Sequence, residues 1–444
     1  MFKFIFCLGK LILFSFYVKK KYDYTKKYNI KNIKLIRKYI NDCGCICTKC
    51  VQWLIPLLEK NNINKDILNI FNDVYENNEI HDIKYTKYLY EKQFKTNIYN
   101  DYKIIDVIGS GSIGQVYKVK DIKTNDYCVM KVKHPNIDKQ MLLFKYIFAI
   151  IYKIKIFNRF FYKYFPFDLI LFLEDFYKQS DFINESNNIL SFYNIYEEND
   201  YVIIPKLLKV SDDIIIMEYV EGHCLDDLDL SEYKKSKIIY SLYLFVRNNL
   251  LIFNNNHGDL HKFNWKVSDE KKKNLHKIII YDFGYCFKLN KEEHLNINRL
   301  CELIVSFDNT DKVSDKYSKF LNFLFGKDLK LNIEFDNRIT EPDIILKQIL
   351  TISSENNLII HKFKILNSLL LMSLVDNYFQ KYNINNNNTI LKVKKNILDA
   401  YNFCNTYDIY PELAQHLLKE YNLNYKQKQI FESISFDDNI KSLI

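Results

Sequence analysis

Two short runs constrain this chain of 444 residues more than anything else in it. The first is His257-Gly258-Asp259-Leu260-His261-Lys262-Phe263-Asn264, and the second, eighteen residues beyond its end, is Asp282-Phe283-Gly284. Between them, Lys277-Ile278-Ile279-Ile280-Tyr281 is an apolar run of strand length. A carboxylate with an amide five positions on, and a second carboxylate closing a strand, supplies hard oxygen donors of the kind magnesium needs beside a nucleoside triphosphate. In that pattern Asp259 orients or deprotonates the acceptor, while Asn264 and Asp282 hold the metal. His-Gly-Asp alone is an ordinary tripeptide. The ordered combination is not.

The upstream half carries the matching phosphate chemistry. Gly109-Ser110-Gly111-Ser112-Ile113-Gly114-Gln115-Val116 follows the strand-like Tyr102 to Ile108 and precedes a second strand, Val116 to Val119. A dinucleotide-binding turn with the same glycine spacing would open a helix. Here a turn at Lys123-Thr124-Asn125-Asp126 leads instead into Tyr127-Cys128-Val129-Met130-Lys131-Val132-Lys133, so a hairpin is expected. Gly109, Gly111, Ser112, Gly114 and Val116 then cover the phosphates, because glycines let backbone N–H groups come close. Lys131, ending a Val-x-Lys pattern in the third strand, is the candidate phosphate lysine.

A lysine in that role needs a carboxylate, and Glu185 is the candidate, within a stretch of helical apolar spacing from Leu169 to Phe192. The competing reading is a solvated surface glutamate. Ile214 to Gly222 reads as a buried strand entering a turn, where Glu218 and Val220 would line the adenine.

In this order the motifs resemble the UbiB/ADCK family of atypical kinase-like proteins over roughly Tyr39 to Phe325. The residues that carry the resemblance are Ser112-Ile113-Gly114-Gln115-Val116-Tyr117, Val129 to Pro135, Asp181-Phe182-x-x-Glu185-x-x-Asn188, Pro205, Met217 to Gly222, the Asp259 loop and Asp282-Phe283-Gly284. The resemblance implies an α+β, bilobal protein kinase-like fold with an N-terminal helical extension, and ATP and magnesium as cofactors. It also implies a link to coenzyme Q and other isoprenoid lipids, and an apolar helical insertion that Met141 to Phe157 fits. The expected organisation is an apolar, basic segment at 1–38, the extension at 39–100, an N-lobe at 101–222 and a helical C-lobe at 223–444.

Three features depart from the family. Its Lys-x-Gly-Gln helix is matched by Lys49-Cys50-Val51-Gln52, with Val for Gly. Its Glu-x-Asp appears as Gln179-Ser180-Asp181, and its alanine-rich nucleotide loop is here glycine-rich. A neutral Gln179 cannot fix a lysine as a carboxylate would, so an altered gating role for the extension is expected.

After Gly284 the chain runs almost directly into the helical Glu292 to Leu303, with no Ala-Pro-Glu and little room for a peptide platform. ATP hydrolysis, or phosphoryl transfer to a small or lipidic acceptor, fits better than protein phosphorylation. Two alternatives stay open: a small-molecule phosphotransferase of the aminoglycoside or choline kinase type, and a nucleotide-sensing scaffold without chemistry.

Residues 1–40 carry eleven Lys or Arg and one acid, Asp23, and Phe2 to Val18 is strongly apolar ahead of Lys19-Lys20-Lys21. This suits a lipid surface, and a membrane-associated intracellular location, mitochondrial or in a host organelle. The competing reading is a helix packed on the domain. No basic-aromatic nucleic-acid module is recognisable. Cys43, Cys45, Cys47 and Cys50 lack the paired ligand spacing of zinc sites, and Cys43, Cys47 and Cys50 are expected on one helix face. The wealth of Asn, with only 9 Gly and 6 Pro, reads as coding bias rather than structural demand, as does the short tract Asn383 to Asn388. His257 is expected to support the catalytic-loop backbone, His261 to face the phosphates and His134 to be structural.

Overall fold

The structure, a computed structural model, describes residues 2–25, 27, 29–60, 65–72, 80–153, 169–197, 199, 201–272, 275–305, 310–326, 342–356 and 358–382. The tract 383–388 and the end of the 141–157 insertion lie outside the described residues. The chain forms two compact units: 1–154 with 180–183 and 207–219, and 155–179 with 184–206 and 220–444.

The first unit opens with four helices, α1 (Phe2–Thr25), α2 (Ile30–Asp42), α3 (Cys45–Lys60) and α4 (Lys65–Asn72). Val18, Ile33 and Ile67 from three of them make a small apolar cluster with Phe14, Ile36, Ile70 and Phe71. The rest of α1 stays apolar and exposed at Phe6, Leu13, Phe16 and Tyr17. Among the described residues no helix is long and apolar enough to cross a membrane.

The cysteine run is not one helix. Cys43 caps α2, Gly44 turns the chain at φ +88°, and α3 starts at Cys45. A side chain at Gly44 would be strained by that φ and would collide with the Gln140 amide, whose Oε1 accepts from the Cys45 N–H at 3.3 Å. Backbone geometry at one glycine overrides the helical spacing.

Next come α5 (Ile83–Phe94), capped by Asp82 on the Lys84 N–H, and the short α6 (Ile98–Asp101). They cover an antiparallel sheet of β1 (Tyr102–Ser110), β2 (Gly114–Asp121), β3 (Tyr127–Lys133), β4 (Leu207–Val210) and β5 (Ile214–Glu218), in the order β1-β2-β3-β5-β4. The turn after β2 is built as the sequence suggests: Asp121 Oδ1 accepts from the Lys123 and Thr124 N–H groups, and Asn125 takes a positive φ of 65°. Side-chain alternation sends Tyr117, Val119, Cys128, Met130, Val132, Ile214 and Ile216 into a core with Leu89, Tyr90 and Ile98. Val116, Lys131 and Ile215, which are register partners, therefore share the opposite face. Helix α7 (Ile137–Tyr152) starts four residues ahead of the expected insertion helix.

The expected apolar helical stretch from Leu169 is in fact two helices, α8 (Leu169–Gln179) and α9 (Phe182–Tyr196). Asp181 breaks it by capping the second with its Oδ1 on the Ile183 N–H, 2.9 Å away.

In the second unit, helix α10 (Glu232–Asn248) is buried continuously from Ile238 to Asn248, which makes it the central helix of that unit. It runs into a π-turn at Asn249–Phe253. A hairpin of β6 (Trp265–Lys272) and β7 (Leu275–Ile280) is flanked by the two-residue strands Val202–Ile203 and Gly222–His223. Helices α11 (Lys291–Val305), α12 (Thr310–Phe325), α13 (Pro342–Asn356) and α14 (Phe363–Lys381) complete what is described.

Candidate active site

The first unit holds the glycine hairpin and the lysine. Gly109 and Gly111 have no crowding at the Cβ position, while a methyl on Gly114 would lie 2.9 Å from the Val132 carbonyl oxygen and 3.4 Å from the Phe182 ring. The hairpin closes with the Gly111 N–H on the Gly114 carbonyl at 3.0 Å. Lys131 pairs across the ladder with Val116, and its Nζ lies 5.5 Å from the centre of the Phe182 ring. Lys133, two residues on, is committed elsewhere, with carboxylates of Asp213 and Asp138 at 3.4 and 3.6 Å. Glu218 is exposed at the end of β5. The hairpin residues, Lys131 and Glu218 thus all sit on one sheet.

The second unit brings together Glu185, Asp259, Asn264 and Asp282. The Asp259 loop is fixed by its neighbours. Cys286–Phe287 pairs antiparallel with Asn256–His257, and the Gly258 N–H donates to the Tyr285 carbonyl at 2.7 Å. Gly258 is required there, because a methyl would run into the Tyr285 ring. The Asn264 amide donates to the Asp259 carbonyl at 2.6 Å, and the Asn264 carbonyl accepts from the Tyr281 N–H at 2.8 Å. The amide nitrogen being used, Asn264 Oδ1 is the atom left to face a cation.

His257 does what the sequence suggests: its Nε2–H donates to the Tyr281 carbonyl at 2.9 Å, and burial depresses its pKa, so it stays neutral. His261 has its Nε2 4.0 Å from an Asp259 carboxylate oxygen. Asp282 takes a left-handed φ of 53°, an uncommon but tolerated choice for Asp, and its Oδ1 accepts from the Gly284 N–H at 3.2 Å. Asn188 of α9 donates to the Phe283 carbonyl at 2.9 Å. Glu185 is buried, and its carboxylate approaches the Cβ position of Gly284, as does that of Asp282. Val220 accepts from the Tyr281 hydroxyl through its carbonyl at 3.0 Å.

The donor set fits magnesium. Burial, followed by the negative charges of Glu185, Asp282 and Asp259, pushes the Cys286 thiol well up, so the site is electronegative. Among the described residues no three His, Cys, Asp or Glu side chains are grouped to hold a metal by themselves. Magnesium, which keeps waters and borrows phosphate oxygens, does not require that.

A family model, the ABC1 atypical kinase-like domain, matches residues 75–316, more than half of the chain. The chain belongs to the ABC1 atypical kinase-like family. Its fold is accordingly α+β and kinase-like. Among curated proteins it is similar to an uncharacterized aarF domain-containing protein kinase, chloroplastic, of Arabidopsis thaliana, at 25% identity over 168 residues. That match spans 36% of this chain and only 22% of the relative. Among solved structures, an erythromycin complex of a Mycobacterium tuberculosis protein aligns with a TM-score of 0.46 and 13% identity, covering 68% of this chain and 83% of that one.

Several contacts that hold these loops come from residues the sequence reading passed over. Asn254, at a positive φ of 47°, clamps Leu289 from both sides, donating to its carbonyl and accepting from its N–H, each at 2.8 Å. Asn256 donates to the Phe287 carbonyl at 3.4 Å and Asn255 to the Ser191 hydroxyl at 3.2 Å. Each side chain of this asparagine run is used in a contact. The other residue passed over is His81, which lies far from any motif.

Proposed function

We propose that the protein binds magnesium-ATP and either hydrolyses it or transfers its terminal phosphoryl group to a small or lipidic acceptor. The observation that carries this reading is the set of bonds that fixes Asp259, Asn264 and the strand end before Asp282. The backbone carbonyl of Asp259 holds the Asn264 amide at 2.6 Å, the Asn264 backbone carbonyl holds the Tyr281 N–H at 2.8 Å, and the Gly284 N–H holds Asp282 at 3.2 Å. A pre-set arrangement of this kind is what phosphoryl transfer needs, since positioning and electrostatics supply most of its catalysis.

In this reading Asn264 and Asp282 hold the metal, which neutralises phosphate charge when bound. Asp259 orients the attacking hydroxyl or water and takes its proton. Lys131 and the backbone N–H groups of Gly109 to Gly114 serve the phosphates, Glu218 and Val220 the adenine, and the role given above to Glu185 is part of the same proposal. The short passage from Gly284 to α11, six residues between Gly284 and Lys291, supports a small or lipidic acceptor over a peptide.

The lipid link is also part of the proposal. Its support is α1, with Phe6, Leu13, Phe16 and Tyr17 exposed ahead of Lys19-Lys20-Lys21, which suits an anionic, isoprenoid-containing membrane surface. An organellar, membrane-associated location belongs to the same reading. Magnesium-dependent ATP turnover, with and without anionic liposomes, is the test. Turnover that rises with lipid and vanishes in Asp282→Asn supports the proposal. Binding without any turnover replaces it with a nucleotide-sensing scaffold.

A further inference from the structure

The glycine hairpin is tied together by a relay of side chains in which the tautomers of two histidines are set by their partners. His134, the residue after β3, carries the hairpin tip: its N–H donates to the Ile113 carbonyl at 2.9 Å, and its ring Nε2 lies 3.1 Å from the Gly111 carbonyl oxygen. A carbonyl only accepts, so His134 Nε2 bears the proton, with the Ser110 hydroxyl 3.3 Å from the same nitrogen. In the neutral ring Nδ1 is then an acceptor. The atom facing it at 2.8 Å is Nδ1 of His81, which must therefore be the donor. It follows that Nε2 of His81 accepts; the Thr86 hydroxyl faces it at 2.8 Å and the Tyr117 hydroxyl at 3.4 Å, and Thr86, the nearer, is taken as the donor.

With its one proton on His81, Thr86 accepts from the Tyr117 hydroxyl at 2.7 Å. Tyr117 in turn accepts from the Gln115 amide at 2.7 Å, and the Gln115 Oε1 accepts from the His81 backbone N–H at 2.8 Å. Gln115 and Gly111 stand on opposite sides of Gly114, so the relay starts on one arm of the hairpin and ends on the other. Thr86, Gln115 and Tyr117 are all buried, at 0%, 1% and 1% exposure, so bulk water does not reach the links among these three.

We infer that His81 and His134 are paired positioning residues that set the shape of the phosphate-covering hairpin, and that they do so only while both rings are neutral. This rests on the nucleotide-binding reading of that hairpin. A proton on His134 forces His81 Nδ1 to accept, which makes Nε2 a donor and leaves one of the two hydroxyl protons of Thr86 and Tyr117 without an acceptor in the relay. A proton on each ring sets two donors face to face.

The surroundings favour the neutral pair. The rings of Tyr85 and Tyr117 face His81, and burial pushes both phenols up, so both are uncharged. Asp82 turns away to cap α5, and Lys133 beside His134 is matched by Asp213 and Asp138. Burial, then the neighbouring His134, lowers the His81 pKa to about 4. Protons reach the pair through a cavity of about 320 Å³ that both rings line with Cys45, Thr48, Gly111 and Ser112.

The test uses the full chain with 15N-labelled histidine. At pH 7.5 the side-chain spectrum should show His81 as the Nδ1–H tautomer and His134 as the Nε2–H tautomer, assigned by the signals lost in His81→Phe and His134→Phe. Both rings in the Nε2–H form would overturn the relay, and this reading on the wild type needs no nucleotide.

The KM for magnesium-ATP should rise about fivefold in His81→Phe, the scale of one lost hydrogen bond. It should return towards wild type in His81→Asn, whose amide can still donate from the Nδ1 position. The wild-type KM should also climb as pH falls toward about 4.5, and the His81→Phe profile should be flatter. Correct tautomers with coincident profiles and an unchanged KM would remove the positioning role alone. A wild type that binds no nucleotide at pH 7.5, whatever its tautomers, removes the nucleotide reading and the positioning role with it.

Discussion

The glycine hairpin and the Asp259 loop are both segments of backbone that must keep one shape, and they are restrained by different means. The hairpin hangs on a series of side chains bonded to each other, from Gln115 through Tyr117, Thr86 and His81 to His134. The Asp259 loop is held by separate amides, each bonded to backbone or to one neighbour: Asn188 on Phe283, Asn254 on Leu289, Asn264 on Asp259. Links in series fail together. Links in parallel fail one at a time, and this difference decides how each region should respond to substitution, acid and heat.

The largest expected effect lies in the parallel region and is chemical. Asp282→Asn should cut turnover by about a thousandfold or more, the scale of losing an electrostatic group in a closed site, while the thermal midpoint stays close to wild type. A variant retaining more than a tenth of wild-type turnover would take Asp282 out of the metal site. Next is Gly258→Ala, whose methyl meets the Tyr285 ring and should lower stability by about 1–3 kcal/mol by overpacking. Gly109→Ala, with open space around its Cβ position, should stay within about 0.5 kcal/mol. Denaturant melts of the two variants check the pair, and equal losses would contradict the local geometry.

Double-mutant cycles sharpen the comparison further. Thr86→Val and His81→Phe should be strongly non-additive, with a coupling of about 0.5–3 kcal/mol, because either substitution already interrupts the series. Asn254→Ala and Asn188→Ala, which hold Leu289 and Phe283 by separate bonds, should add to within about 0.5 kcal/mol. Coupling of similar size in both pairs would erase the distinction.

The smallest effect is on the pH profile. His81 has a folded pKa lowered to about 4 from 6.5, so the unfolded chain binds more protons between those values. Its contribution is fully present above about pH 6.5 and is lost as pH falls toward 4. His257 and His294 are shifted the same way by burial, so His81 is not alone in costing the wild type stability in acid. His81→Phe should make the acid limb of the stability curve shallower but not flat. A limb unchanged by the substitution would show that His81 does not contribute.

What could be read in the sequence follows the same division. Glycines, Lys131 and the Asp259 and Asp282 loops announce themselves because the chemistry fixes both residue type and spacing. The antiparallel ladder, with Val116 opposite Lys131, follows from alternation and turn residues that are local. His81 was illegible because its meaning depends on how α5 lies over β2, a tertiary fact with no local spacing. The asparagines at 254–256 were hidden by an Asn-rich composition that makes any single Asn uninformative. The corner at Gly44 went unseen because cysteine spacing outweighed one glycine, although a glycine beside a cap residue is the stronger signal.

The sheet of the first unit also carries its own defence against self-association. Its ladder is irregular only at its two margins. The β1–β2 pairing slips twice, between Ile104 and Asp106 and between Val107 and Gly109, and the β4–β5 pairing slips once, between Leu207 and Lys209. The β2–β3 and β3–β5 pairings run without a break. Bulges of this kind twist an edge strand out of the flat geometry that another chain's strand would need for docking. Ile105 and Ile108, both more than two-fifths exposed on β1, can therefore stay in water at the sheet margin without offering a template for fibrils.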